Sequence, residues 1–163
     1  MRSSNTNFTR KEDFHMIREL MTVQNKPVEL LLTSAAVKKG APIDVDSEDQ
    51  TVKHTADGLG TKLCDINATY EDINAIVEPT DDAFEKAEAG VRVRVIQTLP
   101  GEMYATSELD TETLQAGDKL QAKDGKFVKA TAGQYAYEYR GIYSDPTGIK
   151  MGKIVRVEIA TAG

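Results

Sequence analysis

The chain has no tryptophan, one cysteine and two histidines, and aromatic residues fill only 6% of its 163 positions. Each shortage removes a class of chemistry. Cys64 alone cannot form an internal disulfide, which fits synthesis in a reducing cytoplasm. Neither His15 nor His54 has a cysteine or second histidine at ligand spacing, so no zinc site is expected. His15, next to Phe14, reads as a surface residue. GxGxxG, GxxxxGK[ST] and GxSxG are all missing, which leaves nucleotide binding and a nucleophile elbow without support. No apolar run approaches the roughly 20 residues that span a bilayer. The start, MRSSNTNFTRKEDF, has no apolar stretch after its charge and does not read as a secretory signal.

What remains is poor material for catalysis. Cys64 paired with His54 is the one nucleophile arrangement to weigh, but Leu63 and Ile66 beside the cysteine favour a buried small hydrophobe. The acidic stretch DVDSED (44–49) fails as an EF-hand loop: Asp49 stands where the loop needs Gly, and Thr55 where it needs Glu. It reads as a solvated loop between strands. Glu71, Asp72, Glu78, Asp81 and Asp82 form a second acidic cluster, without the aromatic sugar platforms that paired carboxylates use in glycosidic chemistry. No enzyme activity, cofactor or metal is expected.

The composition is that of one ordinary domain with an appended arm: 40% hydrophobic, 28% charged, 17.9 kDa. Val, Ile, Leu and Ala must supply most of the core. A net charge of -6 speaks against a dedicated nucleic-acid or anionic-membrane binder.

Along the chain, residues 1–27 read as a polar arm and an amphipathic helix. Thr9 and Glu12 have capping-box spacing, Phe14, Ile17, Leu20 and Met21 follow at helical spacing, and Pro27 ends the pattern. Residues 28–163 read as a β-rich domain. VELLLTS is a short apolar run, PIDVD (42–46) and TVKHT (51–55) are short strands, 62–79 is ambiguous, and TDDAFEKAEA (80–89) and LDTETLQAGD suggest short helical turns. VRVRVIQT alternates, with Val91, Val93 and Val95 on one side and Arg92 and Arg94 on the other. DKLQAKDGKFVKA has the Asp-Gly signal of a tight hairpin. YAYEYRGIYS places Tyr135, Tyr137 and Tyr139 on one face, and KIVRVEIAT is a closing strand with Val155, Val157 and Ile159 inward. Short strands with turn signals between them predict a small β-barrel or sandwich of antiparallel strands. No fixed-period repeat is visible.

The second half, AGVRVRVIQTLPGEMYATSEL, then LQAGDKLQAKDGKFVKA, then YRGIYSDPTGIKMGKIVRVEIA, resembles the small β-rich capsid decoration (cement) proteins of tailed bacteriophages. The shared layout is a valine-rich strand, a Gly-Asp-x-Leu step, an Asp-Gly hairpin, a glycine-led strand and a closing Val-x-Val strand. Here these are Val91–Ile96, Gly117–Leu120, Asp124–Gly125, Gly141 and Val155–Ile159. The resemblance implies a non-enzymatic structural virion protein, made in the host bacterial cytoplasm. It implies binding to the outer surface of the expanded head as a homo-oligomer, a trimer by preference. The implied partners are the major capsid protein and further copies of the chain, with no direct nucleic-acid or membrane contact. The alternatives are the base domain of a head fibre, a tail-associated β module, or a carbohydrate- or calcium-binding surface module. Candidate interface residues are Phe14, Ile17, Leu20 and Met21, Arg92 and Arg94, and Tyr135, Tyr137 and Tyr139; Tyr suits such surfaces because its ring buries area while its hydroxyl stays hydrogen-bonded.

Overall fold

The computed structural model describes residues 14–23, 26–27, 29–66, 85–146 and 148–163. The Thr9–Glu12 capping box, the second acidic cluster and residues 80–84 lie outside them. The strands, in chain order, are β1 (Ile17–Met21), β2 (Glu29–Thr33), β3 (Val37–Lys38), β4 (Pro42–Val45), β5 (Thr51–His54), β6 (Asp57–Gly58) and β7 (Lys62–Asp65). There follow β8 (Lys86–Ala87), β9 (Arg92–Gln97), β10 (Met103–Thr106), β11 (Lys119–Lys123), β12 (Lys126–Lys129), β13 (Gly133–Ser144) and β14 (Lys150–Ala162). The protein is mainly β, as its turn signals predict.

The helix expected across 10–24 is not formed in its described part. Ile17–Met21 is a strand, paired antiparallel with β10 from Ile17 opposite Thr106 to Met21 opposite Met103. The apolar spacing suited a helix, but the edge of β10 offers this segment a ladder of backbone partners, and tertiary pairing overrides a weak local preference. Lys86–Ala87, expected in a helical turn, pairs with β3 instead.

β2, β5, β4, β7 and β9 close into a five-stranded barrel in that order. Its hairpin is β4–β5, with Val45 opposite Val52; β4 pairs β7, β7 pairs β9, β9 pairs β2, and β2 runs parallel to β5. The same connectivity recurs in the second half. β11 and β12 form the hairpin, β11 pairs β13, β13 pairs β14, and β14 pairs β10. A parallel bridge from Leu109 to Phe127 brings β12 back to the residues after β10, where Phe127 N–H donates to the Glu108 carbonyl. The strand layout therefore occurs twice, as a closed barrel in the first half and, in the second, as a sheet brought round by that one bridge into a second, barrel-like unit, with β2, β4, β5, β7 and β9 answered by β10, β11, β12, β13 and β14. Gly40 and Gly117, both at positive φ, introduce the equivalent strands β4 and β11. Ile43, Val52 and Cys64 fill the first core at the positions that Leu120, Phe127 and Tyr139 fill in the second.

The two barrels are clamped together. β6, which follows β5, pairs with β11 through Gly58 opposite Ala122 and Asp57 opposite Lys123. Asp124 and Gly125 donate their N–H groups to the carbonyls of Ala56 and Thr55. Leu63 and Ile96 of the first barrel also join the second barrel's core. The Asp-Gly hairpin has the expected two-residue register, Ala122 opposite Phe127 and Lys123 opposite Lys126, and Asp124 and Gly125 both take positive φ as a type I′ turn requires.

The closing strand has the opposite facing from that expected: Ile154 and Arg156 are buried, whereas Ile159 is 47% exposed. Ile154 lies opposite both Tyr104 and Tyr139, and this pairing draws its face of β14 into the core.

Candidate functional site

The residues nominated as an interface separate into interior and exterior sets. Ile17, Tyr137 and Tyr139 belong to the second core. The Tyr137 hydroxyl reaches the Gly60 carbonyl at 2.8 Å and Thr98 Oγ1 at 2.9 Å, so it ties the barrels together. Tyr135 is half-buried, with Lys119 Nζ over its ring. Phe14 lines a shallow polar groove with Ser107, Glu112 and Lys150, and Leu20 is half-buried. Met21, Arg92 and Arg94 remain on the surface side of the fold.

Around these three the structure assembles an apolar face that sequence reasoning missed. On β2 and β9, Leu30 lies opposite Arg94 and Leu32 opposite Arg92, so both pairs point the same way, out of the barrel. Leu30 is 53% exposed and Leu32 41%. Met21, the last residue of β1, and Val23 beyond it are also exposed, as are Val91 and Leu99. A groove of about 320 Å³ runs beside them, lined by Lys26, Pro27, Glu29, Arg94, Gln97 and Leu99. The available signal was the unbroken Leu30–Leu32 run: on a barrel strand, successive leucines cannot all face the core.

The face is held rigidly from below. Arg94 Nη1 lies 3.2 Å from both Glu19 Oε2 and Asp65 Oδ2. Burial opposes its charge, but these two carboxylates outweigh burial and raise its pKa. Glu102, buried, takes Lys26 Nζ at 2.7 Å, the Val23 and Leu99 amides at 2.8 and 2.9 Å, and the Tyr104 hydroxyl at 2.9 Å. Burial pushes its pKa up, but these donors prevail and hold the carboxyl below its ordinary value. One side chain thereby holds Val23, Lys26 and the turn between β9 and β10 together.

Among the described residues, Cys64, His54, His15 and the carboxylates of the β4–β5 loop each have structural partners or are buried. Cys64 is fully buried, and its thiol is pushed up to about 12 by burial and by Asp65, against a smaller opposing effect of Lys39. His54 Nε2 accepts the Lys38 amide at 3.0 Å; burial and Lys38 lower its pKa. His15, expected at the surface, is buried, with Nδ1 at 2.8 Å from the buried Glu108 Oε2. Strand alternation explains this, since His15 and Ile17 share the inward side of the edge strand. Ser107 Oγ also meets Glu108 Oε2, at 2.7 Å, rather than the imidazole, so the three do not form a nucleophilic relay. In the acidic hairpin loop, Asp46 accepts the Glu48 and Asp49 amides and Asp49 accepts from Thr51, so these carboxylates shape the turn. Among the described residues no group of three or more His, Cys, Asp or Glu could hold a metal ion, and no helix is long and apolar enough to cross a membrane.

Comparison with protein-family models, with curated proteins and with solved structures finds no match to this chain. Function must be argued from its own surfaces.

Proposed function

We propose that the protein is a structural virion component that binds the outer surface of an expanded phage capsid and stabilises it by bridging neighbouring capsomers. The exposed Leu30–Leu32 and Arg92–Arg94 face of β2 and β9 carries this proposal. An apolar patch with charged residues interleaved, on a scaffold whose cysteine is buried and whose histidines are hydrogen-bonded within the fold, fits docking better than turnover. The decoration-type motifs distribute over the duplicated layout: Val91–Ile96 closes the first barrel, while the Gly-Asp-x-Leu step, the Asp-Gly hairpin and the Val-x-Val strand build the second. Packaging expands the shell, and a protein that bridges capsomers only in the expanded geometry stabilises that state by its differential affinity.

The test is co-sedimentation of the purified protein with expanded and unexpanded shells of its phage. Binding to expanded shells alone, with a raised shell melting temperature, is the expected result. Absence of binding to both overturns the proposal.

A further inference from the structure

His54, the last residue of β5, stands where the first barrel meets the hairpin of the second. Its Nε2 accepts the Lys38 N–H of β3 at 3.0 Å. A backbone amide can only donate, so this bond exists only while Nε2 carries no proton. The opposite side of the ring lies under the β11–β12 turn: a Cβ on Gly125 would stand 2.5 Å from Cγ and Nδ1. The residues that follow His54 are the clamp itself. The Thr55 and Ala56 carbonyls take the Gly125 and Asp124 amides at 2.9 Å each, and Asp57 and Gly58 pair with Lys123 and Ala122. One imidazole thus joins β3 to the strand end from which the clamp leaves.

We propose that His54 is a proton-operated latch: a proton on Nε2 breaks the bond to Lys38, and the grip of residues 55–58 on the Asp124–Gly125 turn loosens in mildly acidic solution. The proton has a route, because the ring is half-buried. Once it is bound, Nε2–H faces Lys38 N–H, donor against donor, and the ring turns away from its seat beneath Gly125. The charged groups around the ring divide. Burial opposes the imidazolium most, Lys38 and more weakly His15 oppose it too, and Glu108 favours it. Glu108 is already engaged by His15 Nδ1 and Ser107 Oγ. β4 brings Ile43 opposite His54, and on the hairpin Asp124 and Lys126, either side of the buried Gly125, are exposed. The balance is downward: the folded pKa lies below the ordinary histidine value of 6.5. Opening the clamp returns the ring to water. The neutral ring therefore contributes stability that is complete above the unfolded value and is lost as pH falls through it toward the folded one. That window lies above the range in which carboxylates titrate, and the latch does not depend on what the β2–β9 face docks to.

Nitrogen NMR of the imidazoles and hydrogen exchange on the full chain test it. At neutral pH the His54 ring is expected to carry its proton on Nδ1, with Nε2 bare. Protection of the Asp124 and Gly125 amides, taken relative to amides of β13, is expected to fall about tenfold as the ring titrates below about pH 6.5. The ratio removes the pH dependence of exchange chemistry that all amides share. His54→Gln keeps a side-chain acceptor but cannot titrate, and is expected to hold the ratio constant. Four results would each overturn the proposal: a proton on Nε2 at neutral pH, a ring that stays neutral until the whole protein unfolds, a constant ratio while the ring titrates, or an equal fall in His54→Gln. The first three are read on the unmodified protein and stand even where the variant fails to fold.

Discussion

His15 Nδ1 and Glu108 Oε2 stand 2.8 Å apart with both side chains buried, and this contact fastens the edge strand β1 to the second barrel. Ser107 adds to the same cluster, accepting the Met16 amide at 2.8 Å and donating to Glu108. Glu108→Ala leaves the buried His15 Nδ1 without its partner and Ser107 Oγ with only the longer contact to the Met16 carbonyl, at 3.3 Å. It is expected to lower unfolding free energy by about 2–4 kcal/mol in urea titrations. Amides of Ile17–Glu19 should exchange with deuterium markedly faster than those of β13. Unchanged exchange in β1 would show that the pair does not hold the strand.

The barrel clamp depends on a residue with no side chain. A Cβ on Gly125 would lie 2.5 Å from Cγ and Nδ1 of His54, and φ there is +77°. Gly125→Ala is therefore expected to destabilise by about 1–3 kcal/mol through combined clash and left-handed strain. Removing the ring, as in His54→Ala/Gly125→Ala, should restore part of that loss, and a double-mutant cycle measures how much. Strictly additive losses would mean that the two do not touch in solution.

Glu102 supplies a pH dependence whose sign is fixed. Burial raises its pKa, but Lys26, the Val23 and Leu99 amides and the Tyr104 hydroxyl lower it further, so the folded value lies below the ordinary glutamate value of about 4.3. A depressed folded pKa contributes stability that is complete above the unfolded pKa and is lost as pH falls through the folded one. Thermal melts are expected to show Tm declining once pH drops below about 4, the unfolded-state range. Glu102→Gln should cost about 1–3 kcal/mol at neutral pH and make the acid limb shallower. An acid limb of the same depth in the variant would assign that limb to other carboxylates.

How much of this was legible in the sequence depends on how local each feature is. The DKLQAKDGKFVKA hairpin was readable to the exact register, because an Asp-Gly pair at positive φ specifies the turn that specifies the pairing. The strand at Ile17–Met21 was not, because its ladder is completed by Met103–Thr106, far along the chain. His15 was misplaced for the same reason: its burial makes sense only with Glu108 beside it. The duplication left no fixed period because the loops between equivalent strands differ in length; the β4–β5 turn, for example, is longer than Asp124–Gly125. The one-face tyrosine stripe of β13 suits a core or a subunit interface equally by pattern, and Tyr137 and Tyr139, nominated for an interface, lie in the core because β13 is covered on that face. Met21, Arg92 and Arg94 were found, but VELLLTS was read only as a short apolar run, with no facing given to its leucines.

Those leucines give the sharpest separation of docking from folding. Leu30 and Leu32 project from a closed barrel whose interior is filled by Val37, Ile43, Val52, Val93 and Val95, so their outer atoms contribute little to the core. L30S/L32S is expected to shift unfolding free energy by no more than about 0.5 kcal/mol per site, as for surface changes. If the face meets the shell, losing two apolar side chains from a buried interface should weaken binding by tenfold or more, about 1.4 kcal/mol for each factor of ten. Val128→Ser serves as the control, since Val128 is exposed on a hairpin of the other barrel. Arg92→Glu, exposed and opposite Leu32, should also weaken binding and alter its salt dependence. Equal shell affinity for L30S/L32S, Val128→Ser and the unmodified protein would remove the β2–β9 face from the capsid contact.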